Sequence, residues 1–232
     1  MDGVGAARLV IRLMTGDLNE IACLAAHCDD IAIGVGGTLL TLCRARRGLR
    51  VHALVLCGGD SGRAEEERNA LRDFCPDATV QLTVLDIPDG RVPAHWDRAK
   101  HAVNAFRRTC EPDIVFSTQR ADAHQDHRTL AELTPTEFRD HLILGYEILK
   151  WEADTPQPTL LHPLEAGVVD EKSVLLHKHY PSQVGHDWFD DEAFRGLSRL
   201  RGVQCRSRYA EAFVVEKAII GFGETARERV GI

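Results

Sequence analysis

The chain has 232 residues, of which 44% are hydrophobic, so it is long enough to bury one sizeable core. Its formal net charge is −7 with both signs scattered, which argues against nucleic acid or an anionic membrane as a partner because these require a basic face. The seven cysteines form no CxxC pair, so reduced core thiols are favoured over a disulfide scaffold. We expect a single cytoplasmic domain over residues 1–232.

The first segment, residues 9–13, is too short for a signal peptide and is broken by Arg12. Four continuous apolar runs then predict buried strands at residues 21–26, 51–56, 80–87 and 113–117. Helices are predicted between them at residues 38–47, 63–74 and 96–109, and a further segment at 130–138 is interrupted by Pro135. This alternation predicts an α/β fold, a Rossmann-like three-layer sandwich with a mainly parallel sheet.

The last third of the chain is less regular. Strands are predicted at residues 142–148 and 210–220, and helices at 168–179 and 189–201. Residues 151–163 hold three prolines and are predicted to be an extended loop, and residues 221–232 are expected to fray. We expect this irregular third to close the site that the sheet forms. No apolar run reaches the length of a bilayer.

Two clusters of metal-binding residue types follow predicted strands. His27-Cys28-Asp29-Asp30 follows the first strand, and His124-Gln125-Asp126-His127 follows the fourth. Ligands of parallel sheets bind beyond the carboxyl ends of the strands, so both clusters should lie at one edge. Two imidazoles and a carboxylate can hold Zn²⁺ with one position open for water. The pair of clusters therefore predicts a metal-assisted hydrolase.

Spacing indicates the roles within these clusters only in part. The candidate metal ligands are His27, Asp30 and one of two histidines, His124 or His127. Asp29 is the candidate general base, and the remaining histidine could stabilise an oxyanion or protonate a leaving amine. Asp126 could orient an imidazole. Either cluster alone would more often be a solvated turn or a helix cap, and Cys28 is expected to point away from the metal.

Other residues are candidates for contacts outside the metal. Gly34-Val35-Gly36-Gly37 lacks a full nucleotide-binding motif and is interpreted as close helix–strand packing. Arg63 follows a Gly-rich loop, where it could bind substrate or pair with Glu66 or Glu67. Trp151 and Trp188 could stack on a sugar ring, although packing explains them equally well.

The two clusters resemble the motifs of the PIG-L/LmbE-like zinc-dependent deacetylase family. The first family motif is A-H-P-D-D-E before a Gly-rich segment, and this chain has Ala26-His27-Cys28-Asp29-Asp30-Ile31. The second is H-x-D-H, and this chain has His124-Gln125-Asp126-His127. The similarity extends to Arg63-x-x-Glu66 and Asp86-x-Pro88-Asp89-Gly90. Segments 146–151, 180–183 and 209–213 are similar to a bacterial subgroup associated with polysaccharide and natural-product pathways.

The resemblance implies a role for each residue of the clusters. It implies that the Zn²⁺ ligands are His27, Asp30 and His127. It implies Asp29 as the general base and His124 as the oxyanion-stabilising residue, with Asp126 as the partner of His124. The implied reaction is removal of an N-acetyl group from an amino sugar or a related small conjugate. A phosphatidylinositol substrate is not expected, since no membrane anchor is visible.

Two positions depart from the family motif. Ile31 replaces the usual acidic residue and Cys28 replaces proline. Neither is among the implied ligands, so metal binding should survive, but the rate or the substrate could change. Two alternatives remain: a metal-binding protein with a weak or inactive site, and a hydrolase of another amide or ester.

Overall fold

A computed structural model describes residues 18–220 of the chain. The predictions for residues 9–13 and 221–232 lie outside this range. Seven strands of the described chain form one sheet in the order β3-β2-β1-β4-β5-β7-β6. They are β1 (Glu20–Ala25), β2 (Arg50–Val55), β3 (Thr79–Val84), β4 (Ile114–Thr118), β5 (Leu142–Tyr146), β6 (Leu160–Leu164) and β7 (Tyr209–Lys217).

The first five strands are parallel, as predicted, and β7 pairs antiparallel with both β5 and β6. The helices are α1 (Asp30–Ala45), α2 (Arg63–Phe74), α3 (Trp96–Arg107), α4 (Gln125–Glu137), α5 (Ala166–His179) and α6 (Asp191–Gln204), with a 3₁₀ turn at Val92–His95. Helices α1, α2 and α5 contact one another, and α3 contacts α4.

The helices cover both faces of the sheet, which is why the strands are apolar throughout. In β1, Ile21 and Cys23 belong to the core that contains residues of α1, α2 and α5. The intervening Ala22 and Leu24 belong to the core that contains residues of α3 and α4. Successive side chains of a strand point to opposite faces of the sheet, so one apolar strand contributes side chains to two cores. The predicted three-layer α/β sandwich is confirmed.

Helix α1 begins at Asp30 and not at residue 38 as predicted. Its glycines lie inside the helix, at positions where neighbouring elements leave no room for a larger side chain. A Cβ atom at Gly34 would overlap the ring of Tyr146, and one at Gly36 would lie 2.8 Å from Phe74. These contacts confirm the interpretation of the glycines as packing residues.

Two predictions for the second half were wrong. Residues 160–163 belong to β6 and not to a loop, and Pro163 is tolerated there because β6 is an edge strand. Helix α4 starts at Gln125 and continues through Pro135, since a proline in the last turns removes few helical hydrogen bonds.

The state of the cysteines agrees with the prediction of reduced core thiols. All seven cysteines are free thiols, and all but Cys205 are buried. Within residues 18–220, no helix combines the length and the apolar character that a membrane crossing requires.

Candidate metal centre

Strands β1 and β4 are neighbours in the sheet, and each cluster follows one of them. The predicted meeting of the clusters at one edge is therefore present in the structure. The imidazole rings of His27 and His124 lie 4.8 Å apart between centroids, and those of His27 and His127 lie 5.1 Å apart. Three histidines from two distant parts of the sequence thus share one corner of the sheet.

Three potential donor atoms form a small triangle in this corner. His27 Nδ1 lies 3.1 Å from His127 Nε2, and Asp30 Oδ2 lies 3.6 Å from the first atom and 3.3 Å from the second. Ligand atoms at about 2.0 Å from a tetrahedral zinc are about 3.3 Å apart. His27, Asp30 and His127 therefore have the spacing of one face of a zinc coordination tetrahedron.

Other groupings in the same corner have looser spacing. His27 and His124 offer donor atoms within 4.8 Å of one another together with His127, or with Asp89 and Asp126. Asp89 is 63% exposed at its side chain, whereas Asp30 is buried and also accepts the N–H groups of Ala26 and His27. The compact and rigid triangle is the better cation site.

The carboxylates give this corner of the sheet a negative electrostatic potential, which favours binding of a cation. Burial disfavours charged imidazoles, but Asp126, Asp30 and Asp89 outweigh it and raise the pKa of His27 well above its usual value. Burial by itself would also lower the pKa of His127, yet Asp30 and Asp122 raise the pKa of His127 to about 9. A divalent cation would satisfy the same carboxylates.

A carboxylate stands behind each of the two histidines of the triangle. Asp122 Oδ2 lies 2.9 Å from His127 Nδ1, and Asp126 Oδ2 lies 3.2 Å from His27 Nε2. Asp126 is itself fixed, because it accepts the N–H groups of Gly90 and Val92. Such carboxylates set the orientation of an imidazole whose other nitrogen faces a metal.

This arrangement differs from the predicted partnership of Asp126 with His124. The carboxylate of Asp126 contacts the ring of His27, and only the backbone N–H of Asp126 donates to His124 Nδ1, at 3.3 Å. In the neutral ring of His124 the proton therefore sits on Nε2. Burial, together with the charges of His27 and His127, lowers the pKa of His124. His124 is thus a neutral N–H donor.

Asp29 occupies a strained backbone position between the sheet and α1. Its φ of 111° lies in the left-handed region, which aspartate adopts more readily than most residues. Burial and the neighbouring Asp30 raise the pKa of Asp29 to about 8. Arg63 Nη2 lies 3.2 Å from Asp29 Oδ2. The carboxylate is therefore held in place with a proton affinity suited to a base near neutral pH.

Glu67 supports the strained position, and the sequence prediction missed it. Its side chain is fully buried and accepts the N–H of Asp29 at 3.0 Å and the O–H of Tyr180 at 2.7 Å. Glu66, the glutamate of the Arg63-x-x-Glu66 similarity, accepts hydrogen bonds from Ser182. A signal was present, because residues 67, 70, 71 and 74 form the buried stripe of α2 at helical spacing.

Arg63, the predicted substrate contact, does not pair with either of the two glutamates that the sequence offered as partners. Glu66 and Glu67 are engaged elsewhere, and Arg63 pairs with Asp29 and donates to the carbonyl oxygen of Cys28. Arg63 also lines the cavity over the candidate metal centre. It can therefore hold Asp29 and meet a ligand.

The two departures from the family motif face away from the donor atoms. Ile31 is buried in the core shared with α2 and α5. The thiol of Cys28 donates to the carbonyl of Cys57 at 3.5 Å. Both side chains thus have partners of their own in the described structure.

A cavity of about 330 Å³ opens above the centre. Its floor comes from the two clusters, and its wall comes from the irregular last third. The lining residues are His27, Asp29, Asp30, Arg63, Asp89, His124, His127, Ile148, Leu149, Lys150, Trp151, Glu152, Gln183, His186 and Trp188.

The part of the chain that contains both clusters is similar to a known family. The model of the PIG-L family, described as GlcNAc-PI de-N-acetylase, matches residues 22–137, which is half of the chain and contains both clusters. The chain belongs to the PIG-L family. This PIG-L chain is 31% identical over 152 residues to YaiS of Escherichia coli K12, described as an uncharacterized deacetylase. The match covers 59% of this chain and 78% of YaiS.

Solved structures show the same fold. N,N′-diacetylchitobiose deacetylase from Pyrococcus horikoshii is 21% identical with a TM-score of 0.67, and the match covers 86% of the PIG-L chain and 84% of that chain. GalB, the 4-carboxy-2-hydroxymuconate hydratase of Pseudomonas putida KT2440, is 17% identical with a TM-score of 0.70. That match covers 89% of the PIG-L chain and 99% of GalB. Since this fold carries both a deacetylase and a hydratase, the fold alone does not fix the reaction.

Proposed function

We propose that this chain is a zinc-dependent N-deacetylase that acts on an N-acetylated amino sugar or a related small conjugate. The observation that carries the proposal is the triangle of His27, Asp30 and His127 beside the buried carboxylate of Asp29. A role in polysaccharide or natural-product biosynthesis and a cytoplasmic location are part of the proposal, as is a single functional domain.

The proposed metal ligands are His27 Nδ1, Asp30 Oδ2 and His127 Nε2. Their nitrogen and oxygen atoms and their spacing suit Zn²⁺. A bound zinc would supply Lewis acidity, which activates water near neutral pH and polarises a carbonyl group. Asp122 and Asp126 would hold the two imidazoles in the orientation that this binding requires.

Asp29 is proposed as the group that moves the proton. It would accept the proton of the attacking water and return it to the departing nitrogen, so that an amide and water become acetate and an amine. Arg63 keeps this carboxylate facing the cavity, at 3.2 Å between Nη2 and Oδ2. Both events occur at one buried carboxylate, which limits competition from bulk water.

His124 is proposed to stabilise the negative charge that develops on the amide oxygen. Its Nδ1 is engaged by the backbone N–H of Asp126, which leaves an Nε2–H donor. A neutral donor in a preorganised position is suited to an oxyanion. Arg63 is proposed as the contact to substrate hydroxyl or carboxylate groups, since it lines the same cavity.

The relatives support the substrate class. The protein from Pyrococcus horikoshii is described as an N,N′-diacetylchitobiose deacetylase, and such a protein acts on an N-acetylated sugar. The cavity of about 330 Å³ is at the small end of ligand pockets, which suits one sugar ring.

The direct test combines metal analysis with acetate release. We expect about one zinc per chain, acetate release from N-acetylglucosamine or its conjugates, loss of activity with a chelator and recovery on addition of zinc. Full activity in metal-free protein would contradict the proposal. Zinc without acetate release from any N-acetyl substrate would favour a weak or inactive site, and cleavage of other amides or esters alone would favour the remaining alternative.

Glu67 should matter for turnover although it does not reach the cavity. We expect Glu67→Ala to lower kcat about 10- to 100-fold with unchanged zinc content, because Asp29 loses the acceptor of its N–H group. Glu67→Gln keeps an acceptor oxygen and should restore most of the rate. Glu65→Ala, which removes a carboxylate of α2 that is 63% exposed, is the control in the acetate-release assay. Equal rates for Glu67→Ala and Glu65→Ala would refute the positioning role.

A further inference from the structure

We propose that Trp151, His186 and Trp188 form an aromatic wall that binds a second ring attached to the N-acetylated sugar. The inference rests on the proposed function and extends it to substrate choice. It predicts an enzyme that prefers a disaccharide or an aryl glycoside of the acetylated amino sugar over the free monosaccharide.

The aromatic wall is built from two loops of the last third. The His186 and Trp188 rings are stacked, with centroids 6.2 Å apart and planes inclined by 14°. Trp151 approaches both rings edge-on, at 6.3 Å from His186 and 6.4 Å from Trp188. All three residues line the cavity over the metal centre. The wall is therefore part of the site.

Packing explains only the inner part of this wall. Trp188 is half-buried against the core and contacts Phe189, so it supports the other rings. Trp151 is 68% exposed, which is unusual for the largest apolar side chain. Its Nε1–H donates to Asp187 at 2.7 Å, so the indole is anchored at its edge while its surface remains open. An anchored and exposed indole is a preorganised binding surface.

The position of Trp151 defines what it can bind. The proposed catalytic residues Asp29, which is buried, and His124 line the same cavity, and the acetamido group must lie beside them. An exposed residue that lines the cavity lies at its mouth. A ring attached to a sugar whose acetamido group lies beside Asp29 would point toward this mouth and meet Trp151.

The chemistry of the aromatic wall suits a pyranose or an aryl ring. The face of an indole carries partial negative charge and attracts the polarised C–H groups of a sugar ring or the edge of an aromatic ring. The neighbouring Lys150 is engaged by Asp122 and Asp154, at 3.0 and 2.7 Å, so it supports the loop. Recognition at this point is therefore by ring stacking.

The test compares two substrates and two tryptophans. We expect the wild type to deacetylate N,N′-diacetylchitobiose at least about tenfold more efficiently than N-acetylglucosamine. Trp151→Ala should lower kcat/KM for the disaccharide about tenfold, through KM, and lower kcat/KM for the monosaccharide by less than about twofold. Trp151→Phe should keep most of the preference. Trp96→Ala, at a 47% exposed tryptophan outside this cavity, should leave kcat/KM unchanged for both substrates.

Binding measurements separate this inference from the proposed function. The dissociation constant for diacetylchitobiose is measured by calorimetry for the zinc-loaded wild type and for Trp151→Ala. Binding that weakens about tenfold in Trp151→Ala, without acetate release, would retain the aromatic wall and overturn the deacetylase. Acetate release with equal loss on both substrates, or with no loss, would overturn the aromatic wall alone. Neither binding nor release of acetate would overturn both.

Discussion

Asp29→Asn should lower kcat about 1000-fold or more while the zinc content stays unchanged. The amide cannot accept a proton, and a positioned acid–base group contributes about 10²- to 10⁴-fold to a rate. Asparagine tolerates the left-handed backbone at this position, with φ of 111°, so the fold should persist. Acetate release per zinc-loaded chain is the measurement, together with zinc analysis of the same sample.

A matched control exists for Asp29→Asn in this chain. Asp77 also has a positive φ, of 60°, and lies exposed between α2 and β3, outside the cavity. Asp77→Asn makes the same chemical change in the same backbone region and should leave the rate unchanged. If Asp29→Asn kept the rate of Asp77→Asn, the proton would be moved by another group and the proposed mechanism would be wrong.

Glu211→Ala should destabilise the fold by about 3 to 5 kcal/mol. Glu211 is buried on β7 and accepts the Gly37 and Thr38 N–H groups at 2.8 and 2.7 Å. Lys172 Nζ lies 2.7 Å from Glu211 and also donates to the carbonyl of Ile33. Removing the carboxylate leaves a buried ammonium without its partner, and breaking one side of a buried pair has a large effect. Urea unfolding followed by circular dichroism measures the loss.

An exposed pair between α1 and α5 provides the comparison. Arg44 of α1 and Glu171 of α5 pair at 2.6 Å with side chains 46% and 37% exposed. Glu171→Ala removes a glutamate from this pair and should cost less than about 1 kcal/mol, because water solvates both charges. Glu211→Gln, which keeps an acceptor oxygen, should fall between the two. A similar loss for Glu211→Ala and Glu171→Ala would show that the buried pair stabilises no more than the surface pair.

The first half of the fold could be predicted because its information is local. Continuous apolar runs mark strands buried on both faces, and each run is followed by turn residues and an amphipathic segment. The position of the candidate metal centre followed from topology, since β1 and β4 end at the same edge. Metal-binding residue types immediately after both strands were sufficient to predict where they would meet.

The remaining elements depend on contacts that a linear pattern does not contain. Helix α1 begins at Asp30 and contains glycines that pack against Tyr146 and Phe74, whereas glycines in a sequence ordinarily argue against a helix. Strand β6 contains a proline and depends on β7, which follows it by more than forty residues in the sequence. Tertiary packing overrides local preference at both places.

For a related reason, one supporting residue of the site was missed and another was assigned to the wrong histidine. Asp122 lies in a loop between β4 and α4, where an aspartate is ordinary, and only the fold shows that it contacts His127. Asp126 lies next to His127 in the sequence, but its carboxylate contacts His27 from the other cluster. Residue types indicate which side chains can coordinate a metal, whereas side-chain orientation in the fold decides which carboxylate supports which histidine.

The long sequence separation within the triangle has a thermodynamic consequence. His27 and His127 are 100 residues apart, and their nitrogens meet only when β1 and β4 are paired. The unfolded chain therefore offers no equivalent high-affinity site, and a cation that binds the triangle selects the folded state. At a free concentration 100 times the dissociation constant this linkage contributes about 2.7 kcal/mol. The same ion would be both a chemical reagent and a reversible cross-link between distant parts of the chain.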